Sequence, residues 1–231
     1  MSNGCCIGLI GGLGVGATTY YYQELARAHQ AHGHSLDIVI VHAETSRVFE
    51  FVRAQDPRGL AEYLNRFLRR LQAAGADIGV VPAITPLYCA RELATTSPLP
   101  LVSMVDAVAA ELTSRSARRV AIFGTRYSIQ SGFFGQLPNV EFVLPTPDEI
   151  DLIHSIYGEL LRDGLGSSDQ RQVLTELAQT LRDRDHVDAI LLAGTDLTLL
   201  FNQANTGFPA IDCAALHLQA ILNQVLDANV V

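Results

Sequence analysis

The stretch Ile7–Thr19, IGLIGGLGVGATT, joins a short apolar run to a glycine-rich loop and to the beginning of an amphipathic segment. Apolar runs of this length that end at glycine are typical of buried strands, and glycine lets the backbone turn sharply into a following helix. The same order of strand, turn and helix recurs along the 231 residues of the chain. This alternation predicts parallel sheets that are flanked by helices.

Six apolar runs predict strands, and five stretches with helical spacing of apolar residues predict helices. The predicted strands are residues 7–10, 38–41, 78–81, 120–123, 140–143 and 189–192. The predicted helices are residues 19–29, 59–74, 105–115, 149–163 and 169–183.

The two halves of the chain carry similar patterns. Residues 76–81, ADIGVV, resemble residues 187–192, VDAILL, and each run leads into a turn of small residues with a threonine, Thr85 or Thr195. We therefore predict an α/β fold of two pseudo-symmetric, doubly wound parallel-sheet lobes with an interdomain cleft. The predicted lobes are residues 1–103 plus 210–231, and residues 104–209.

The composition limits the classes of partner. The chain is 48% hydrophobic and 17% charged, with a formal net charge of −8, which is ordinary for a folded soluble protein. No basic stripe offsets the negative charge, so a nucleic-acid partner is not expected. No apolar segment reaches the length of a membrane span or resembles a signal peptide, so we expect no membrane partner and take the cytoplasm as the default location.

The cysteines and histidines do not predict a metal site. Cys5, Cys6, Cys89 and Cys213 show no CxxC spacing, which argues against both a zinc site and a disulfide framework. The histidines are scattered, and the cluster at residues 29–34 contains no carboxylate or cysteine that could complete a site.

The glycine loop after the first predicted strand allows two ligands. Gly12-x-Gly14-x-x-Ala17 fits the dinucleotide fingerprint, and Glu44 ends the next strand where an acid that binds ribose could lie. An NAD-dependent enzyme is therefore one alternative. Backbone N–H groups at a helix N-terminus also suit a carboxylate, and a tight turn without any ligand is a further possibility. The loop is not a P-loop, because no Lys-Ser or Lys-Thr pair follows the glycines.

Motifs along nearly the whole chain resemble those of the aspartate/glutamate racemases, a family of amino-acid racemases that do not use pyridoxal phosphate. Their order and spacing carry the resemblance more than any single motif does. The matching motifs are residues 7–14 with Ala17-Thr18, 75–77, 123–125 with Ser128, 156–160, 193–197 and 209–212 with His217.

The family mechanism uses two cysteines, one in each turn, which remove and return the α-proton on opposite faces of the substrate. The first family turn reads roughly Cys-Asn-Thr-x-His, and residues 83–87 here read AITPL. The second reads Gly-Cys-Thr-Glu, and residues 193–196 here read AGTD. Ala83 and Gly194 therefore replace both cysteines, so the resemblance predicts a family member without the two-thiol mechanism.

The resemblance also implies a binding site for a small carboxylic acid, no cofactor and a homodimer. The expected contacts include Arg47, after the second strand, and Arg162, where the family has a lysine. An arginine can hold a carboxylate through two parallel hydrogen bonds, although a solvated surface arginine is the alternative at both places. The full set of predicted ligand contacts is Gly12, Gly14, Thr18, Arg47, Thr85, Thr125, Arg162 and Thr195.

Three functional hypotheses follow. The first is an enzyme with a divergent proton-transfer mechanism, for which Thr85, Thr195 and Asp196 are the catalytic candidates. A threonine hydroxyl needs a neighbouring base, and Asp196 and His42 are the nearest candidates. Cys89 lies inside the following helix and is expected to point away from the turn. The second hypothesis is a non-catalytic binding or regulatory protein on the racemase scaffold, and the third is the NAD-dependent enzyme.

Overall fold

The computed structural model describes residues 4–130, 140–202 and 204–227. The chain divides into two compact units. The first lobe is Met1–Ser103 with His217–Val231, and the second lobe is Met104–Leu216. Each lobe contains one parallel sheet with helices around it.

The first lobe begins with the strand and helix predicted from the glycine loop. Its strands are β1 (Ile7–Gly11), β2 (Ile38–His42) and β3 (Ile78–Val80). Its helices are α1 (Val15–Ala31), α2 (Thr45–Arg53), α3 (Pro57–Ala73) and α4 (Ala90–Thr96), with a 3₁₀ helix over Thr85–Cys89 before α4.

The second lobe repeats this organisation. Its helices are α5 (Met104–Ser114), α6 (Arg126–Gln130), α7 (Pro147–Asp163) and α8 (Ser168–Asp185). Its strands are β4 (Arg119–Gly124), β5 (Glu141–Val143), β6 (Ala189–Ala193) and β7 (Ala210–Asp212), with a 3₁₀ helix over Thr195–Leu199 after β6. The last helix, α9 (Cys213–Asp227), contains the boundary between the two units.

Strand order shows that the two lobes are repeats of one plan. The first sheet has the order β2-β1-β3, and a parallel bridge between Gly79 and Leu101 extends it beyond β3. The second sheet has the order β5-β4-β6-β7. All of these pairings are parallel, so both lobes follow the doubly wound order 2-1-3-4. The predicted fold class is confirmed.

Helix α3 shows how the sequence pattern builds the first core. Leu60, Leu64, Leu68 and Leu71 recur at helical spacing, and all four are fully buried. The helix begins at Pro57, after Asp56, whose side chain accepts a hydrogen bond from the backbone N–H of Gly59.

The predicted strands and helices all occur, with small shifts at their ends. The spacing of apolar residues predicted a helix from residue 19, but α1 already begins at Val15, so the glycine loop is shorter than predicted. Strand β7 was not predicted, since three residues are too few to show a pattern. This strand pairs with β6, so residues 210–212, which the sequence had assigned to the first lobe, lie in the second sheet.

Candidate functional site

The carboxyl ends of parallel strands meet at one edge of a sheet, and in doubly wound folds that edge holds the ligand. In the first lobe this edge brings together the glycine loop after β1, His42 at the end of β2 and the turn after β3. In the second lobe it brings together Thr125 after β4 and the turn that starts at Gly194 after β6.

The glycine loop is held by one threonine. The backbone N–H of Gly12 donates to Thr18 Oγ1 at 2.9 Å, and that hydroxyl donates to the carbonyl oxygen of Gly14 at 2.7 Å. Gly12 and Gly14 have φ angles of 82° and 141°, which favour glycine. Thr18 therefore stabilises the loop, and α1 begins without a side-chain cap on its first turn.

The end of β2 lies directly against this loop. A Cβ atom placed on Gly12 would lie 2.2 Å from the carbonyl oxygen of Ala43 and 2.6 Å from Cε1 of His42. Thr45 Oγ1 donates to the carbonyl oxygen of Gly12 at 2.6 Å, which joins the start of α2 to the loop. The His42 ring is exposed, and its Nε2 lies 3.5 Å from a carboxylate oxygen of Glu44.

Arg47 follows in the first turn of α2. Its guanidinium forms an ion pair with Glu50 and lies over the ring of Phe51, 5.6 Å from the centroid. The side chain is half exposed, and such surface pairs hold an arginine only weakly. Thr45, two residues before Arg47, is the residue through which α2 contacts the glycine loop.

The turn after β3 is apolar and closed. Ala83, Ile84 and Thr85 are all buried, and the backbone N–H of Ala83 donates to the carbonyl oxygen of Val81 at 2.9 Å. Pro86 then enters the 3₁₀ helix that begins at Thr85. The turn offers the Thr85 hydroxyl and no titratable group at position 83.

The turn after β6 is filled by an aromatic ring from α7. A Cβ atom placed on Gly194 would lie 2.3 Å from Cε2 of Tyr157 and 2.8 Å from its Cζ. The Tyr157 hydroxyl donates to Asp196 Oδ2 at 3.3 Å, and both side chains are almost fully buried. Burial first, and then the charge of Asp196, raise the pKa of Tyr157 well above its usual value. Thr195 is buried beside them.

This contact is the part of the site that the sequence did not predict. The sequence indicated Tyr157 only as part of the motif at residues 156–160. It indicated Gly194 only as a position where the family has a cysteine. The position of Gly194 after a buried strand was a signal in the sequence, because a glycine at such a place often marks close approach by another group. The identity of that group depends on how α7 packs on the turn.

Thr125 serves the local structure of the second lobe. Its Oγ1 lies 2.9 Å from Ser128 Oγ and accepts a hydrogen bond from the backbone N–H of Ser128, as an N-cap does. Next to it, Arg126 forms an ion pair with Asp151, and the backbone N–H of Arg126 donates to His154 Nδ1 at 3.4 Å. Burial and the charge of Arg126 lower the pKa of His154.

Arg162 is separated from the second turn by helix geometry. It lies five residues after Tyr157 on α7, which corresponds to about 140° around the helix. Its guanidinium contacts the carboxylate of the adjacent Asp163 at 3.0 Å, and both side chains are exposed. Within the second lobe, the structure does not bring Arg162 to the face of α7 that carries Tyr157.

None of the four cysteines has the properties of a catalytic thiolate. Burial raises the pKa of Cys5, of Cys6 to about 11, of Cys89 to about 12 and of Cys213 well above its usual value. The sequence predicts Cys89 inside the following helix and directed away from the turn, whereas in the structure it ends the 3₁₀ helix just before α4, and its buried thiol donates to the carbonyl oxygen of Pro86.

Metal and dinucleotide sites find no support in the geometry. Within the part of the chain that the structure describes, no three His, Cys, Asp or Glu side chains are arranged to hold a metal ion. In the dinucleotide-binding fold the third strand lies beyond the second, whereas here β3 lies on the other side of β1.

Across residues 4–130, 140–202 and 204–227, no helix has the length and apolar character needed to cross a membrane.

Comparison with known proteins agrees with this architecture. A putative Asp/Glu racemase from Yersinia pestis is 26% identical, with a TM-score of 0.80 over 96% of this chain and 99% of its own. An aspartate racemase homologue from Pyrococcus horikoshii, 23% identical, has a TM-score of 0.79 over 96% and 99%. The fold is also shared with a glutamate racemase from Francisella tularensis, solved with D-glutamate, which is 10% identical with a TM-score of 0.67 over 98% and 82%.

The model of the Asp/Glu/hydantoin racemase family matches residues 10–221, which is most of the chain. The match includes both strand-end turns, the glycine loop and helix α7. The chain therefore belongs to the Asp/Glu/hydantoin racemase family.

Proposed function

We propose that this chain binds a small carboxylic acid at its strand-end turns and does not racemise aspartate or glutamate with paired thiols. One observation carries the proposal: the two turns present Ala83 and Gly194, and the ring of Tyr157 fills the space beside Gly194. Methyl groups and hydrogen atoms cannot exchange a proton with a substrate carbon. The cleft between the lobes, assembly as a homodimer and a cytoplasmic location stay predictions from the sequence.

Other groups that could replace the thiols are poorly suited. Cys89 is the cysteine nearest to either turn in the sequence, and its pKa of about 12 leaves almost no thiolate at neutral pH. The chain contains no lysine, so it cannot form the Schiff base through which pyridoxal phosphate enzymes hold their cofactor. The proposed function therefore involves neither a cysteine thiolate nor pyridoxal phosphate.

Asp196 has a role that differs from that of a free base. Its carboxylate is fully buried and accepts a hydrogen bond from Tyr157, so it orients that phenol. A phenol with a raised pKa keeps its proton at neutral pH and donates hydrogen bonds. Tyr157 is thus the donor, and Asp196 the acceptor, of a buried pair in the turn of the second lobe.

Anchors for a carboxylate lie around the glycine loop. The first turn of α1, which follows the N-cap Gly14, carries the positive end of the helix dipole, and this favours an anion. Arg47 adds a cation that is held only by a surface pair with Glu50. Ala83 and Ile84 make the neighbouring turn apolar. This combination favours a carboxylic acid with an apolar body over free aspartate.

Calorimetric titration against a panel of carboxylic acids tests the binding. We expect Arg47→Ala to weaken the best acid by about tenfold, since hydrogen bonds to charged groups contribute about 1.5–3 kcal/mol. Arg53→Ala is the matched control, because Arg53 lies in the last turn of the same helix and is exposed. Equal binding by the parent and by both variants would show that Arg47 is only a surface residue.

Exchange of the α-proton tests the chemistry. We expect aspartate and glutamate in deuterated water to gain no deuterium at the α-carbon, as measured by mass spectrometry, while a two-cysteine racemase serves as positive control. Exchange at rates ordinary for enzymes, about 1–1,000 per second, would overturn the proposal and require a base that the turns do not show.

A further inference from the structure

A polar groove lies on the surface of the first lobe, between α3 and α4, and has a volume of about 670 Å³. This volume is within the range of about 300–1,000 Å³ that is typical of sites for small molecules. The charged and amide side chains that line the groove are Arg58, Glu62, Asn65 and Arg69 from α3, and Arg91 and Glu92 from α4. None of them belongs to the strand-end turns.

The α3 residues of the groove form one stripe. They are spaced by four, three and four residues, which places them along a single helix face. The leucines of the core lie on a different face of α3, and Asn65 is the one member of this stripe that is buried.

The charged side chains of this groove have no partners among the described residues. Within the described part of the chain, Arg58, Glu62, Arg69, Arg91 and Glu92 make neither an ion pair nor a side-chain hydrogen bond. Arginines elsewhere on the surface, such as Arg115 and Arg184, do contact carboxylates. Three cations and two anions therefore surround one groove and are available to a ligand.

Asn65 provides an independent observation. The residue is only 4% exposed, and its Oδ1 accepts no hydrogen bond from the described residues. Its Nδ2 donates to Thr96 Oγ1 at 2.7 Å, and that hydroxyl donates to the carbonyl oxygen of Glu92 at 2.8 Å. A flipped amide would only exchange the unpaired group, because Thr96 is its single partner among the described residues. A buried amide oxygen without a donor is rare and calls for an explanation.

We propose that this groove is a second binding site, which takes a small anion that also carries an amine or hydroxyl donor. The arginines match the anionic group, because a guanidinium binds carboxylate or phosphate through two hydrogen bonds. Asn65 Oδ1 and the glutamates match the donor, because they only accept hydrogen bonds. The site is separate from the proposed acid site at the strand ends and does not depend on it.

The test compares L-malate with succinate, which lacks only the hydroxyl of malate, and adds glycerol 3-phosphate as a phosphate probe. L-Malate and glycerol 3-phosphate carry an anion and a hydroxyl, whereas succinate carries two carboxylates and no donor. In amide NMR titrations we expect malate or glycerol phosphate to shift the signals of Asn65, Thr95 and Thr96, and succinate to bind more weakly. Saturation by only one of the two hydroxylated probes identifies carboxylate or phosphate as the preferred anion.

Substitutions then assign the site. Arg91→Gln should weaken the bound probe by about tenfold. Asn65→Leu should remove the preference for malate over succinate. Arg53→Gln, in the same lobe but outside the groove, should change neither result, and Arg47→Ala should affect only the strand-end site. Thermal unfolding of each variant without ligand shows whether it is folded.

Two results would overturn this inference. One is the absence of saturable shifts at these amides with every probe, or shifts that Arg91→Gln and Asn65→Leu leave unchanged in folded protein. The other is concentration-dependent self-association that Arg91→Gln abolishes without any anion binding, which would identify the groove as a contact between two copies of the chain.

Discussion

The ring of Tyr157 occupies the space in which any side chain at position 194 would begin, with Cε2 only 2.3 Å from the Cβ position of Gly194. Real Cβ atoms do not approach a ring carbon so closely, so a cysteine at 194 needs a displaced ring. A cysteine at position 194 and the present packing of the phenol on Asp196 therefore exclude each other. Restoring the cysteine alone is not expected to restore a racemase.

Substitution of Gly194 tests this coupling. Gly194→Ala should destabilise the protein by about 1–3 kcal/mol, because the methyl group overpacks the contact with Tyr157. The loss should shrink in a Tyr157→Leu background, and a double-mutant cycle from denaturant unfolding measures the difference. Gly158→Ala is the control, since a Cβ there meets nothing within 4 Å. Additive effects of the two substitutions would contradict the contact.

The glycine loop gives a second prediction about stability. Gly12→Ala should destabilise the protein by about 1–3 kcal/mol from backbone strain at φ 82°, with a further loss from the contact with the Ala43 carbonyl. Gly4→Ala should have little effect, because its Cβ meets nothing within 4 Å. Urea unfolding of both variants gives the comparison, and equal stabilities would show that the loop adopts another conformation.

Thiol labelling tests the state of the cysteines. With iodoacetamide at pH 7.5, we expect Cys89 and Cys213 to react only after unfolding, since both are buried and both thiols have raised pKa values. Mass spectrometry of peptides from native and denatured protein identifies the sites. Rapid labelling of native Cys89 would reveal a thiolate and reopen the search for a catalytic base.

His217 gives a prediction for pH. Its Nδ1 accepts a hydrogen bond from Tyr21 at 3.1 Å, its Nε2 donates to the Val102 carbonyl at 3.0 Å, and burial lowers its pKa to about 4. The unfolded chain, with a histidine pKa near 6.5, therefore binds more protons between pH 6.5 and 4. Stability should be complete above pH 6.5 and fall by about 3 kcal/mol as the pH drops towards 4.

Denaturant unfolding at several pH values, for the parent and for His217→Gln, measures this contribution. Glutamine does not titrate, so the variant should be less stable at pH 7 but lose less stability on acidification. His34→Gln, at an exposed position outside the network, should keep the parental pH dependence. An unchanged slope in His217→Gln would assign the acid sensitivity to other groups.

The sequence by itself determined the architecture of this protein. The apolar run at 7–10, the leucine spacing of α3 and the repeated threonine turns specify strands, helices and their alternation, because these patterns are local and follow the periods of the elements. The absence of cysteine from positions 83 and 194 could also be read directly. Strand β7 could not be predicted, because three residues are too few to show a periodic pattern.

The tertiary structure decided what the altered turns contain. Only the packing of α7 on the turn after β6 reveals that the ring of Tyr157 lies where a side chain at position 194 would begin, since the two residues are 37 positions apart in the chain. The unpaired groups between α3 and α4 are likewise invisible in the sequence, where Asn65 and Arg91 look like ordinary polar residues. Local patterns specify each element, whereas the chemistry of a site depends on which distant side chains the fold brings into contact.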